Sequence, residues 1–270
     1  MERPFVLVLG SGDVASAVAH AFFIAGFPTA IQDHASPATL RRGMAFSDAA
    51  FTGKATLEAV VAARCEPGDA LREMLARGES LPFVVGDAIE VAGRLRPALL
   101  VDARMRKRVP AERLMGLARF TLGVGPGFEC GMHVDRVVES QWGPQLGRVL
   151  SAGHAAPLEG EPRIVGGAGR ERFVYAPARG VFRTDASIGA GVRSGARVGT
   201  LDGEAVPAPM SGALRGLVHD GVRVDAGMKL VEIDADDAPL CFGLGERPLA
   251  IATGILRECR TFPREGAPLP

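Results

Sequence analysis

The stretch that decides the fold is Phe5-Val-Leu-Val-Leu-Gly-Ser-Gly-Asp-Val-Ala15, close to the start of the chain. Its first part, Phe5–Leu9, is a continuous apolar run, which is typical of a parallel strand buried on both faces. The next residues read Gly-x-Gly-x-x-Ala and lead into an alanine-rich helical segment, Asp13–Ala25. A second apolar run then starts at Thr29 and ends at Asp33. This order of strand, glycine turn, helix, strand and acid predicts a parallel α/β fold.

The glycine turn has the composition of a phosphate-binding loop. Gly10 permits a tight turn, and Gly12 leaves room for a pyrophosphate to approach the backbone. The helix that follows offers free N–H groups and a partial positive charge at its first turn. Asp33 lies 23 residues after Gly10, where an acid would accept a hydrogen bond from a ribose hydroxyl. The predicted ligand-binding residues here are Gly10, Ser11, Gly12, Asp13, Val14 and Asp33.

Three more apolar runs predict further strands of the same sheet, namely Pro82–Val85, Ala98–Asp102 and Arg119–Gly123. In an open α/β sheet, ligands bind beyond the carboxyl ends of the strands. We therefore expect Asp102, Lys107 and a second glycine loop to line the same crevice, the loop residues being Gly123, Gly125 and Gly127. The basic segment 104–108 is either a solvated surface loop or an anion site, and both interpretations stay open. Together these patterns predict a Rossmann-like nucleotide-binding domain over residues 1–150.

The second half of the chain contains an internal repeat. Val174–Arg183 matches Val206–Arg215 at an offset of 32 residues, and the match continues without a gap to Gly195 and Gly227. Glycines and prolines stay in register throughout, which is a strong repeat signal. Since one copy cannot bury its own apolar face, two 32-residue copies should close into a small all-β barrel-sandwich domain over residues 165–237. Residues 238–270 are expected to form a C-terminal helix, from Arg247 to Cys259, and a Pro/Gly-rich tail.

The repeat resembles the biotinyl/lipoyl carrier domains, in which each half contributes one copy. In those domains, the turn between the halves presents the lysine that takes the cofactor. The matching turn here is Asp202-Gly-Glu204, which has no lysine, and Lys229 lies inside the second copy. We therefore expect no covalent biotin or lipoate.

Composition narrows the class of partner. Lys+Arg and Asp+Glu are equal at 31 each, which gives no reason to expect a nucleic-acid or membrane partner. The cysteines are not spaced as metal ligands, so no metal site is expected. The longest apolar stretch, Val14–Gly26, contains His20 and is too short to span a bilayer. No signal peptide is evident, so we expect a cytoplasmic protein, and its self-association is left open.

Across most of its length the chain resembles the accessory-protein family of selenium-dependent molybdenum hydroxylases, which is distantly related to the xanthine dehydrogenase accessory proteins. The resemblance rests on seven short stretches of the sequence: Leu9–Ser16, Leu40–Ala49, Leu100–Ala103, Val124–Phe128, Leu146–Val149, Leu214–Leu217 and Val231–Asp234. It implies a role in maturing a molybdenum hydroxylase, which would be the partner. It also implies handling of that enzyme's pterin-dinucleotide cofactor or of its sulfur or selenium ligand. With the glycine loop, the ligand expected in the crevice is NAD(P) or a molybdopterin dinucleotide.

The sequence departs from the family pattern at two places. It reads Trp142-Gly-Pro144 where the pattern has Arg-Gly-His, and Asp234-Ala-Asp236 where the pattern has Asp-Pro-Arg.

Two other functions remain as alternatives. One is an NAD(P)-dependent oxidoreductase, although no Ser-Lys-Tyr or His/Asp arrangement that would polarise a carbonyl is evident. The other is a non-catalytic docking module, and the catalytic residues, if any, are not identified by the sequence.

Overall fold

The structure is a computed structural model that describes residues 4–106, 109–157, 160 and 162–259. Within these residues, the strands of a larger sheet are β1 (Val6–Leu9), β2 (Thr29–Asp33), β3 (Lys54–Leu57), β4 (Val60–Cys65), β5 (Leu81–Val85), β6 (Leu99–Asp102), β7 (Phe120–Val124), β8 (Arg136–Val138) and β9 (Val149–Leu150). The α-helices are α1 (Asp13–Ile24), α2 (Ala49–Thr52), α3 (Asp69–Arg77), α4 (Ala88–Leu95) and α5 (Glu246–Cys259). Short 3-10 turns cover Arg42–Met44 and Arg170–Arg172.

The larger sheet has the order β3-β4-β5-β2-β1-β6-β7-β8-β9. In this order, neighbouring strands from β4 to β8 are parallel. The two edge strands, β3 and β9, pair antiparallel with β4 and β8. The expectation of a parallel sheet in an α/β fold is therefore confirmed. The mixed edges were not expected, because the hairpin of β3 and β4 turns through Glu58, at φ +52°, without the glycine or asparagine that usually marks such a turn.

Helices cover both faces of this sheet. Side chains alternate along β1, so Val6 and Val8 pack on one face with α1 and α5, while Leu7 and Leu9 pack on the other. The second face is covered by residues of α3 and α4, such as Leu71 and Val91. Burial on both faces explains why β1 is apolar at every position.

Residues 173–234 form two small antiparallel sheets. Their strands are β10 (Phe173–Tyr175), β11 (Gly180–Arg183), β12 (Gly191–Val192), β13 (Arg197–Leu201), β14 (Glu204–Pro207), β15 (Gly212–Leu217), β16 (Arg223–Val224) and β17 (Lys229–Asp234). The sheet orders are β10-β17-β15-β12 and β14-β13-β11-β16. The two sheets, which we call the β unit, share an apolar core that includes Phe182, Leu214 and Ile233.

The β unit packs against the larger α/β part through the segment that follows β2. Leu40 lies beside Gly216, and the backbone N–H of Leu217 donates to the carbonyl of Leu40 at 2.7 Å. Arg42 donates from Nε to the carbonyl of Leu217 at 2.7 Å. These contacts join the end of β15 to the segment that follows β2.

Candidate functional site

The first glycine loop lies between β1 and α1, as predicted. Gly10 has φ +96°, a conformation that L side chains rarely adopt, and a Cβ there would lie 3.0 Å from Cα of Arg104. Gly12 caps α1 in an extended conformation, and a Cβ built on it meets nothing within 4 Å. Gly10 is therefore required by the fold, whereas Gly12 faces open space at the helix N-terminus. Val14, the second residue of α1, is buried in the core at 1% exposure.

Asp33, at the end of β2, holds the glycine loop. Ser11 donates from Oγ to Oδ2 of Asp33 at 2.6 Å, and the backbone N–H of His34 donates to Oδ1 at 2.8 Å. The carboxylate is largely buried. The structure thus brings Asp33 next to the glycine loop, as the sequence spacing predicts, and shows a hydrogen bond to Ser11 that spacing does not reveal.

Asp102 and the basic segment after β6 form an internal ion-pair network. Asp102 is 1% exposed and accepts from Arg104 at 3.0 Å between Nε and Oδ1. Glu112 accepts from Arg104 at 2.8 Å and from Arg106 at 2.9 Å. Hydrogen bonds from Arg106 and Arg104 lower the pKa of Glu112 to about 2, against the opposing effect of partial burial. Arg104 and Arg106 are therefore paired within the fold, and Lys107 lies outside the described residues.

The glycines of the second loop differ in their surroundings. A Cβ on Gly123 would overlap the ring of Phe128, so this glycine is required by packing. A Cβ on Gly125, at φ +88°, would lie 2.8 Å from Oγ of Ser140. Gly127, at φ +103°, faces open space. Pro126, between Gly125 and Gly127, lines a cavity.

That cavity is a cleft of about 540 Å³ between the α/β part, the β unit and the start of α5. Of the predicted site residues that the structure describes, Asp13 lines it. Asp13 begins α1 and Glu246 begins α5, so the N-termini of two helices open onto the same cleft. Six cationic side chains line it, against three carboxylates, the cations being Arg41, Arg163, Arg172, Arg215, Lys229 and Arg247.

One wall of the cleft is a buried ion cluster around Glu232, which is fully buried in β17. Its carboxylate accepts two hydrogen bonds from Arg41, at 2.8 and 3.0 Å, and one from Arg172 at 3.2 Å. Arg215 lies 3.8 Å away and pairs with Asp234 at 2.9 Å. Burial would raise the pKa of Glu232, but hydrogen bonding and charge from Arg41, then the charges of the other two arginines, lower it. This cluster was not predicted from the sequence.

A sequence signal for the cluster was nevertheless present. Arg41, Arg215 and Glu232 all fall within the short stretches that carry the family resemblance. Those stretches lie far apart in the chain, so they could be joined into one site only by the tertiary structure.

Arg247 differs from the other arginines of the cleft. It lies in the first turn of α5 and donates from Nε to the carbonyl of Ser140 at 2.7 Å. Within the described residues, Arg247 forms no ion pair with a carboxylate. Burial lowers its pKa, Asp13 and Glu139 raise it, and Arg41 lowers it further, with a net decrease. Its positive charge is therefore only partly compensated, which favours the binding of an anion.

An aromatic side chain lies beside this group. Trp142 lines the cleft and is 40% exposed. The guanidinium carbon of Arg163 lies 4.3 Å from the centroid of its ring, and Arg163 pairs with Glu246 at 3.0 Å. Arg163 thereby links Trp142 to Glu246 at the start of α5, and Glu246 directly precedes Arg247.

Comparison with known proteins identifies a relative. The chain is 30% identical over 262 residues to "Uncharacterized protein YqeB" of Escherichia coli strain K12. The alignment covers 97% of this chain and 48% of that protein, so the chain spans about half the length of its relative. No family model matches the chain.

Among the residues that the structure describes, no helix combines the length and the apolar character that crossing a bilayer requires.

Proposed function

We propose that this protein binds a phosphate-bearing dinucleotide in the cleft and acts as an accessory protein in the maturation of a molybdenum hydroxylase. The observation that carries the binding proposal is Arg247, a partly buried guanidinium that faces the cleft without a carboxylate partner among the described residues. A buried cation in this situation is stabilised by an anion from outside the protein.

The two helix N-termini support a phosphate as that anion. The first turns of α1 and α5 both line the cleft, and a first turn carries backbone N–H groups that no helical carbonyl accepts. Two positions are exceptions, since the N–H of Val14 donates to Oδ1 of Asp13 at 2.9 Å and Pro248 has no N–H. Gly12 leaves open space in front of α1, where a side chain would otherwise stand. A diphosphate would interact with these N–H groups and with Arg247 at the same time.

The strand order supports a dinucleotide over a simpler phosphate compound. The central strands run β5-β2-β1-β6-β7, all parallel, with the glycine loop after β1. This is the order that Rossmann-like sheets use to bind dinucleotides at the point where the order reverses. We therefore propose a Rossmann-like domain and NAD(P) or a molybdopterin dinucleotide as the ligand class.

We propose that the β unit is a barrel-sandwich built from two copies of the 32-residue repeat and that it forms one side of the cleft. Strands β11, β12 and β13 begin at residues 180, 191 and 197, and β15, β16 and β17 begin 32 residues later at 212, 223 and 229. This constant offset supports the repeat interpretation. The unit contributes Arg215 and Lys229 to the cleft, and Arg172 immediately precedes its first strand, which supports a binding role for it.

The accessory role rests on the family resemblance. Three of its stretches, Leu40–Ala49, Leu214–Leu217 and Val231–Asp234, supply Arg41, Arg215 and Glu232 to the ion cluster beside the cleft. A protein that holds a pterin dinucleotide between an α/β part and a β unit would be suited to transfer it to an apoenzyme. The molybdenum hydroxylase is accordingly the proposed partner.

Thermal stabilisation by candidate ligands tests the binding proposal. We expect NAD, NADP or a nucleoside diphosphate at a hundredfold excess over Kd to stabilise the wild-type protein by about 2.7 kcal/mol, which raises Tm by several degrees. Arg247→Gln should lose this stabilisation. Arg77→Gln, which removes an exposed arginine of α3, is the matched control and should retain it. No stabilisation of the wild type by any of these ligands, or full stabilisation of Arg247→Gln, would contradict the proposal.

Complementation in the host tests the accessory role separately. Deletion of the gene should lower the activity of a molybdenum hydroxylase while its polypeptide is still made. Wild-type protein and Arg77→Gln should restore the activity, and Arg247→Gln should not. Unchanged hydroxylase activity after deletion would overturn the role and leave ligand binding to be judged on its own.

A further inference from the structure

We propose that Trp142 stacks on the flat heterocycle of the ligand whose phosphate lies at Arg247, so that the cleft selects nucleotides over free phosphates and sugar phosphates. This inference rests on the proposed function and adds the part of the ligand that the cationic groups do not recognise.

The first support is the mixed chemistry of the cleft lining. Beside the cations stand three large apolar side chains with unusual exposure, since Trp142 is 40%, Ile164 69% and Leu240 50% exposed. Single exposed apolar residues are common on protein surfaces, but several around one cavity mark a ligand or partner site. A cleft with apolar and cationic groups suits a ligand that has both an apolar ring and a phosphate.

The second support is the way the indole ring is held. Arg163 covers Trp142 at 4.3 Å, and its guanidinium is in turn anchored by Glu246 at 3.0 Å. The cation–π contact restricts the ring, which lines the cleft and is still 40% exposed. A restricted ring loses little conformational entropy when a base stacks on it.

The third support is that the ring and the phosphate-binding group are built on the same two segments. Arg247 donates to the carbonyl of Ser140, two residues before Trp142, and follows Glu246, which anchors Arg163. Three contacts therefore set the spacing between the Trp142 ring and the Arg247 guanidinium, namely Arg163 with Trp142, Arg163 with Glu246 and Arg247 with Ser140. A ligand that bridges them would engage both at once.

Trp142 is the only tryptophan of the chain, so its fluorescence reports directly on this contact. The probes are NAD and ADP, which carry a base, and inorganic pyrophosphate and ribose 5-phosphate, which do not. Affinities are measured by calorimetry for the wild type, Trp142→Ala and Trp142→Phe. Met132→Ala, at an exposed apolar residue that does not line the cleft, is the control. Circular dichroism melts establish that each variant is folded.

We expect NAD and ADP to quench the indole emission of the wild type, and pyrophosphate to bind without comparable quenching. Trp142→Ala should bind NAD and ADP about tenfold more weakly, since one base stacked on an aromatic ring contributes about that much. Trp142→Phe should recover most of the affinity, and the affinity for pyrophosphate should be unchanged in both variants.

Four results would overturn the inference in different ways. Binding of ADP to Trp142→Ala at wild-type affinity, without quenching in the wild type, would show that the base lies elsewhere. Equal losses for ADP and pyrophosphate in folded Trp142→Ala would assign the ring a structural role. Failure of every probe to bind the wild type would overturn the proposed function as well, whereas binding that depends on Arg247 but not on Trp142 would overturn this inference alone.

Discussion

Arg41 and Glu232, which lie 191 positions apart in the chain, form a two-bonded ion pair with N–O distances of 2.8 and 3.0 Å. Arg41 belongs to the segment after β2 and Glu232 to β17, so the pair joins the α/β part to the β unit. Arg41 also reaches Asp13 in the first turn of α1 at 3.3 Å. The charge state of the buried Glu232 is thereby coupled to the start of the helix that faces the cleft.

Glu232→Gln is expected to destabilise the protein strongly. Arg172 is 2% exposed and would lose its carboxylate partner, which leaves a buried charge uncompensated at a cost of about 3–5 kcal/mol. Glu73→Gln removes one partner of an exposed pair in α3 and should cost less than about 0.5 kcal/mol. Urea unfolding of the two variants measures the difference. Similar small losses in both would show that the Glu232 cluster does not hold the two parts together.

Acid should destabilise the protein through the network around Glu112. A carboxyl group whose pKa is lower in the folded protein binds fewer protons there than in the unfolded chain. For Glu112 the folded pKa is about 2 and the ordinary value 4.5, so its contribution is complete above about pH 4.5 and is lost as the pH falls towards 2. The stability difference between the wild type and Glu112→Gln, from urea unfolding, should therefore shrink between pH 5 and pH 3. A constant difference over that range would contradict the pairing.

Gly12→Val should abolish ligand binding while the fold is retained. A Cβ built on Gly12 meets nothing within 4 Å, and the backbone there, at φ −69°, is accessible to any residue. The new side chain would occupy the space that a pyrophosphate needs. Gly10→Ala is the contrasting variant, because φ +96° and the close approach of Arg104 make it costly by about 1–3 kcal/mol. Calorimetric titration with NAD and a thermal melt separate the two effects, and unchanged affinity in Gly12→Val would place the ligand elsewhere.

Asp33 should make NADP a weaker ligand than NAD. Its carboxylate does not line the cleft but lies beside the glycine loop, over which a dinucleotide would extend from the cleft. There Asp33 would accept a hydrogen bond from a ribose 2′-hydroxyl and repel a 2′-phosphate. Asp33→Asn should reduce the preference, and Ser11→Ala should leave its direction unchanged because the acid is retained. Tighter binding of NADP than of NAD to the wild type would show that Asp33 serves the loop and not the ligand.

No covalent biotin or lipoyl group is expected on the β unit. The turn between β13 and β14 is Asp202-Gly-Glu204, and Asp202 accepts a hydrogen bond there from the backbone N–H of Val181 at 2.8 Å. Lys229 instead lies in the cleft, with Nζ 3.5 Å from the centroid of Phe173. Intact-mass measurement on protein from its own host tests this expectation. A mass increase of one biotin or lipoyl group on Lys229 would contradict it.

Local patterns predicted the elements around the glycine loop closely. The sequence predicts strands at Phe5–Leu9 and Ala98–Asp102, and the structure has Val6–Leu9 and Leu99–Asp102. It also predicts a helix from Arg247 to Cys259, where α5 spans Glu246–Cys259. These elements can be predicted because burial of a strand or of one helix face requires apolar residues at regular intervals along the sequence. The short strands β8 and β9 were missed, since two or three residues carry no measurable period.

The partners of the charged side chains could be identified only in the tertiary structure. The sequence placed Asp102 and the arginines after it at one end of the sheet but did not reveal that Arg104 and Arg106 pair with Asp102 and Glu112. Nor did it reveal that Arg41, Arg172 and Arg215 converge on Glu232, or that Arg247 has no carboxylate partner among the described residues. Strand and helix positions follow from interactions between neighbours in the chain. The partner of a charged side chain follows from which distant segments the packed core brings within hydrogen-bond distance, and this was decided only by the tertiary structure.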